Sequence, residues 1–433
     1  MGDVVSAEQE AGARSLSTMR RAPRRLREVQ GRLEAASVPV WDRPALPEAR
    51  RAVVLMKRAL SLCVAALVAV AIVGCAEEEP GPSSGLAFVI GARANSPQVP
   101  VETLMRHIDD DLTEGSMVSV TGIDGAVDGV ELAREVVGDE STSYDKENAA
   151  LDRNAKISKS FKNAAAIEPE ADVLGAISAG ARSISSVEGT KTMVIADSML
   201  STAGHLQFQA GLLASSPEDV VESLVGLDAL PALDGIHIVI ISQGNTVGTQ
   251  EALRDHERRQ LRSLWEAVLM ASGAADVTYD DSASTAGQEA DLPSVSTVDL
   301  APIIVDAVPC TAVFTEDLVG FVPNEPDFLD DELARATIQS AADQLGSCVG
   351  QIRVIGTTSS WGTEESREDT STKRAQAVAA VLAESLGDNA STFIVDGVGM
   401  NFPEYVNDRD GGGNLIPVEA AKNRSVRISV GDS

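Results

Sequence analysis

A chain of 433 residues, 44% of them hydrophobic, is long enough to bury two ordinary cores rather than one. Its formal net charge of -30 disfavours non-specific attraction to nucleic acid or to anionic lipid headgroups, and no nucleic-acid partner is expected. The charge is uneven: residues 1–55 carry ten arginines against seven acids, whereas everything from Cys75 onward holds 23 basic and 58 acidic residues.

The first pattern along the chain is MKRALSLCVAALVAVAIVGCAEEEP, which begins at Met56. Lys57 and Arg58 precede an apolar run from Ala59 to Val73, which ends in Gly74, Cys75 and three glutamates. So short a run, with basic residues before it and small residues at its end, predicts a secretory signal over 56–75 rather than a spanning helix. The ending IVGC resembles the lipobox of bacterial lipoproteins, which implies lipidation of Cys75 and a protein held on the extracytoplasmic face of the cell membrane. The alternative is a short membrane anchor that happens to end in cysteine. A signal needs its basic start near the amino terminus, so Met56 is expected to be the true start and 1–55 an over-called or disordered basic extension. The other possibility for 1–55 is a basic cytoplasmic tail near the membrane.

Residues 76–85, AEEEPGPSSG, read as a charged tether. From there to residue 280, apolar runs of strand length (LAFVIGA, MVSVTGI, KTMVIAD, IHIVIIS, DVTYD) alternate with helical patterns (VETLMRHIDDDL, ADVLGAISAGARSI, PEDVVESLVGL, LRDHERRQLRSLWEAVLMASG). Strands apolar along their whole length predict a mainly parallel sheet covered on both faces, a three-layer α/β domain over 86–280. Ligands in such sheets gather at the carboxyl ends of strands, where ADSMLSTAGHLQF places Asp197, Ser198, Ser201 and Thr202. This loop resembles the metal-site loop of von Willebrand factor A domains. The resemblance implies cation ligands at Asp197 and Ser201, with Met199 standing where a third ligand would be; the plain alternative is an Asp- and Ser-rich turn. His107, His205, His237 and His256 have no ligand spacing.

Residues 281–309 thin into small polar residues and prolines and read as a linker. The second domain, 310–433, alternates strand and helix again around the strand QIRVIGTT, a polar loop and a long helix. Cys310 and Cys348 are the only cysteines beyond Cys75, and export predicts a disulfide between them. GSCVG, over 346–350, has the outline of a nucleophile elbow, but no histidine follows residue 310 to serve as its base. NDRDGGGNL offers Asp408, Asp410 and Asn414 as oxygen donors without completing a calcium loop, and a Gly-rich turn is sufficient explanation.

Several ordered motifs then converge. Gly356 ends a strand; Arg374 with Ala375 and Val378 lies on the helix after the loop; Gly397 and Gly399 precede Pro403; Asn423, Arg424 and Val426 open the last strand. In this order they resemble OmpA-like, peptidoglycan-associated domains, and the likeness covers roughly residues 311–431. The resemblance implies an α+β sandwich that grips the diaminopimelate residue of the peptidoglycan stem peptide. It assigns Arg374 to the ligand carboxylate, a role that suits a planar guanidinium, and places Thr358, Ser359, Asn423 and Arg424 around the ligand. The family's loop aspartate, which meets the ligand ammonium, is replaced here: Gly356, Thr357, Thr358 and Ser359 stand where the family has Gly-His-Thr-Asp. Glu364, Glu365, Glu368 and Asp369, in the same stretch, are candidates to supply the missing carboxylate.

The expected function is that of a lipid-anchored envelope protein whose C-terminal domain binds peptidoglycan, with an unknown protein as a further partner of the α/β domain. The alternative is an envelope interaction module in which the OmpA-like domain has lost wall binding and the α/β domain is the active part, binding a partner or a cation at Asp197. No cofactor and no enzymatic activity are expected, since no nucleophile, base and orienter fall together.

Overall fold

In β1 (Ser84–Ile90), successive side chains enter different cores: Ala87 and Val89 join one apolar cluster, and Leu86, Phe88 and Ile90 join another. That alternation is the signature of a strand buried on both faces. The structure is a computed structural model and describes residues 84–111, 116–126, 135–136, 143–281, 291–300, 310–322, 325–387 and 392–431. The basic extension, the predicted signal segment with Cys75 and the tether as far as residue 83 lie outside the described residues, and with them the expected lipidation site. Residues 79–433 form one compact unit.

After β1 come α1 (Val101–Asp111), β2 (Met117–Gly122), β3 (Glu135–Val136), α2 (Ser143–Asn163), α3 (Val173–Ser183) and β4 (Thr190–Ala196), then α4 (Pro217–Gly226), β5 (Ile236–Ile241), α5 (Asp255–Ala271) and β6 (Asp276–Asp280). The sheet order is β3-β2-β1-β4-β5-β6; only β3, at one edge, runs antiparallel to its neighbour. On one face α3, α4 and α5 bury Ile177, Val220, Leu264 and Trp265. On the other α1 and α2 bury Leu104, Ile108, Ile157 and Phe161. This is the three-layer α/β domain that the strand pattern predicts.

Three boundaries differ from the sequence-based expectation. β1 takes Ser84 and Gly85 from the tether, because Gly85 pairs with Met117 on one side and Lys191 on the other. Helix α2 was not predicted: Ile157 and Phe161 are its only fully buried apolar residues, too few for an amphipathic stripe. Residues 291–300 are not free linker, since Val298 is buried in the first core and its backbone exchanges hydrogen bonds of 2.7 and 2.9 Å with the Gln250 amide.

The second domain comprises β7 (Thr311–Thr315), α6 (Asp331–Leu345), β8 (Gln351–Gly356), α7 (Glu364–Leu386), β9 (Phe393–Gly397), α8 (Pro417–Asn423) and β10 (Ser425–Gly431). Its sheet runs β7-β10-β8-β9, with β10 antiparallel to both neighbours and β8 parallel to β9. Helices α6 and α7 cover one face and enclose a core of Phe314, Ile338, Val354, Val378, Leu382 and Ile428. Thr363 caps α7 by accepting from the Ser366 amide at 3.2 Å.

The ends of β8 and β9 set the height of α7. A Cβ on Gly356 would lie 1.9 Å from the Ser371 carbonyl oxygen, and one on Gly397 would lie 2.1 Å from the Thr372 amide nitrogen. Both glycines are required by backbone-to-backbone approach.

Cys310 and Cys348 form the predicted disulfide, with a Cα–Cα distance of 5.6 Å, joining the start of β7 to the turn after α6. The loop it closes spans 38 positions, so replacing both cysteines by serine is expected to lower the unfolding free energy by about 3 to 4 kcal/mol. Urea titration checks this, with the dithiothreitol-reduced parent protein expected to give the same midpoint as the double variant.

Candidate functional site

The order of the larger sheet reverses between β1 and β4, the place in an open α/β sheet where ligands usually bind. Here that crevice is filled from within. Arg93, just past β1, donates from Nε to Asp197 Oδ2 and from Nη2 to Asp197 Oδ1, both at 2.9 Å, and further to Ser198 Oγ and the Leu200 carbonyl. Arg93 and Asp197 are both fully buried. Gly91 admits the carboxylate, because a Cβ there would lie 1.9 Å from Asp197 Oδ2.

The cation predicted at Asp197 and Ser201 therefore gives way to a guanidinium. Ser201 faces the start of α3 instead, donating to the Ala171 carbonyl at 3.0 Å and accepting from the Val173 amide at 3.2 Å. Met199, at the vacant ligand position, is core, and its carbonyl accepts from Trp265 Nε1 at 2.8 Å. Among the described residues no cluster of three His, Cys, Asp or Glu side chains is placed to hold a metal.

An open cavity lies elsewhere, between the two domains. About 810 Å³ in volume, it is lined by α4 and α5 of the first domain and by the segment after β7 (residues 316–321), the loop after β8 and α7 of the second. At its base Arg424 joins the domains. Its guanidinium makes a two-armed ion pair with Asp219 in the first turn of α4, through Nη2 to Oδ1 at 2.7 Å and through Nη1 to Oδ2, and it also meets Glu316 Oε2 at 3.2 Å. Burial pushes the Glu316 carboxyl above its ordinary value, against the pull of Arg424 and Arg374. Burial alone would lower Arg424, but Glu316 and Asp219 outweigh it and hold Arg424 above its usual range.

Arg374 projects from α7 into the same cavity. It is only 7% exposed, yet its Nε has no hydrogen-bond partner, and its guanidinium carbon sits 5.0 Å above the Phe321 ring. Burial lowers its pKa and nearby Glu316 opposes the shift; an arginine so placed stays charged. A buried, unpaired guanidinium facing a cavity is costly unless something brings it an anion.

The predicted ligand residues divide into two sets. Thr358 and Ser359 line the cavity with Arg374 and Arg424, and Thr358 Oγ1 is buried without a partner. Asn423 does not belong with them. It is wholly buried, and its amide is consumed by the Val406 amide, the Val406 carbonyl and Asp408 at 2.9, 2.8 and 3.2 Å. Asp408 is likewise turned inward to the Ser360 amide and the Tyr405 hydroxyl. Burial would raise its pKa, but these bonds and the Asn423 contact hold it below the ordinary value.

Glu364, Glu365, Glu368 and Asp369 are all exposed and none lines the cavity; Asp369 pairs with Lys373 at 2.6 Å. Sequence inspection missed Asp219, Glu316 and Phe321. Asp219 had one visible signal, as an acid three residues after the N-cap Ser216.

No protein-family model and no curated protein matches the chain. Solved structures similar to it over 28% of its length include the cell wall anchor of the T6SS from Pseudomonas aeruginosa, at 26% identity with TM-score 0.23 and 81% of that chain covered. Others are the OmpA-like domain of FopA1 from Francisella tularensis subsp. tularensis SCHU S4, at 22% identity, TM-score 0.21 and 70% coverage, and the peptidoglycan-associated lipoprotein from Burkholderia pseudomallei, at 22% identity, TM-score 0.21 and 89% coverage.

Replacing Arg93 by methionine strands the Asp197 carboxylate in the core and is expected to cost about 3 to 5 kcal/mol of stability. Pairing it with Asp197→Leu removes the stranded charge and should recover part of that loss. Denaturation midpoints of the two single variants and the double variant decide it.

Proposed function

We propose that this is a cell-envelope protein whose C-terminal domain binds peptidoglycan non-covalently, while a lipid on Cys75 holds the chain at the extracytoplasmic face of the membrane. The observation that carries this reading is Arg374: a guanidinium nine-tenths buried, unpaired at Nε and lining a cavity, at the position where the OmpA-like motif has its carboxylate-binding arginine. The ordered motif around it has a physical basis in this fold. Gly356 and Gly397 let α7 sit close over the strand ends, and Gly399 donates its amide to Ser371 Oγ at 3.1 Å, one turn before Arg374.

Arg374 takes the carboxylate of the diaminopimelate residue through its planar fork, with Phe321 as the floor and the Thr358 hydroxyl as a further donor or acceptor. Recognition has to be local. The acidic chain as a whole repels an anionic wall, so affinity rests on short-range contacts rather than long-range attraction. The disulfide between Cys310 and Cys348 accords with an oxidising compartment.

The test is retention of residues 79–433 on purified diaminopimelate-type peptidoglycan. The parent protein is expected to be retained, and Arg374→Ala to lose about tenfold or more in affinity, the value of a charge-assisted hydrogen bond. Failure of the parent protein to be retained would leave an envelope interaction module in which Asp219 of the α/β domain has taken the place of wall ligand on Arg424.

A further inference from the structure

The walls of the cavity carry nine acidic side chains against four arginines. Of those arginines, Arg424 is paired with Asp219 and Glu316, Arg259 with Asp330, and Arg367 donates to the Ser360 and Gly362 carbonyls. Among the described residues Arg374 alone of the four has neither an ion pair nor a hydrogen bond, which leaves it to receive an anion. A bare carboxylate bound there would add a negative charge beside Glu316, whose own ionised form burial already disfavours. A ligand that carries an ammonium close to its carboxylate brings no net charge. The four groups Arg374, Arg424, Asp219 and Glu316 sum to zero, so a zwitterionic end keeps the balance that a simple anion would break.

An acid able to meet that ammonium is on the other domain. Asp219 is nearly fully buried and lines the cavity, and Ser216 caps the helix turn that carries it. Each of its oxygens accepts one hydrogen bond from Arg424, and a carboxylate has about four lone-pair positions, so each oxygen retains acceptor capacity. Ser359, in the loop after β8, is neutral, and the acids of the first turns of α7 (Glu364, Glu365, Glu368, Asp369) are exposed and do not line the cavity.

We propose that Asp219, contributed by the α/β domain, holds the ammonium of an amino-acid end whose carboxylate is held by Arg374, making the pocket a two-domain site selective for zwitterions. This rests on the ligand role given to Arg374 in the proposed function.

Calorimetry on residues 79–433 tests it with meso-diaminopimelate and with pimelate, the same seven-carbon dicarboxylate without amino groups. The parent protein is expected to prefer diaminopimelate by about tenfold. Asp219→Asn should erase the preference while retaining pimelate binding, and Arg374→Ala should bind neither. A merely structural role for Asp219 would weaken both probes alike and leave their ratio unchanged. Retention of the preference in Asp219→Asn overturns the inference and spares the role of Arg374; no binding of either probe by the parent protein overturns both. If Asp219→Asn does not fold, the triple variant Asp219→Asn, Glu316→Gln, Arg424→Gln leaves neither a buried carboxylate nor a guanidinium unpaired at that junction and must show the same loss of preference. A diaminopimelate-containing muropeptide separates the two sources of this chemistry: binding with the same dependence on Asp219 supports the wall, and binding of the free amino acid but not the muropeptide overturns the wall as its source.

Discussion

Arg424 holds the arrangement together. One guanidinium serves two carboxylates from different domains, Asp219 on α4 and Glu316 just after β7, and all three groups are largely removed from water. Stripping water from three charges costs several kcal/mol per ion, and geometry has to return it. The two-armed contact with Asp219 does so at the junction where the apolar contribution is modest: Val418 of α8 packs against the first core, while Arg409 and Glu222 approach at the rim at 3.7 Å. The consequence for chemistry is that Arg374, one helix turn above the contact with β9, is left as the uncommitted cation in a space bounded by acids.

The two strand-end regions illustrate opposite uses of the same residue types. At the switch point of the larger sheet, Arg93 and Asp197 are paired with each other and bond further to Ser198, Met199 and Leu200, so the crevice that would bind a ligand becomes structural. In the cavity between domains, Arg259 and Arg424 are ion-paired and Arg367 is bonded to backbone carbonyls, and Arg374 remains with neither an ion pair nor a hydrogen bond among the described residues. What separates a scaffold from a site here is whether the buried charges are closed upon themselves. The hydroxyl of Thr358, also buried and unpartnered, falls on the open side of that division.

Much of the fold was legible because strands covered on both faces must be apolar throughout, and β1, β4 and β5 are. Helix α2 was not, since a helix with one buried edge built on Ile157 and Phe161 lacks the periodic stripe that would reveal it. The site was half legible. Arg374, Thr358 and Ser359 could be placed from ordered motifs within one domain, because Gly356, Gly397 and Gly399 mark where backbone must approach backbone. Asp219 could not, being 205 positions from Arg424. The same blindness produced the cation at Asp197: its partner Arg93 lies 104 residues earlier, and nothing local to ADSMLS announces a guanidinium. Asn423 was assigned to the ligand for a related reason. Its motif shows that the side chain matters and does not show that it matters to the Val406 backbone.

The tight seating of α7 on Gly356 and Gly397 has a bearing on how the protein can change over generations. Because backbone atoms of Ser371 and Thr372 meet the strand ends with no room for a methyl group, the helix has no slack to absorb a substitution there by sliding or tilting. Its solvent side is under no such restraint, and the acids at 364, 365, 368 and 369 can be exchanged without moving the contact. The lining that α4 offers to the cavity can therefore change, while the position of Arg374 stays where two missing side chains put it.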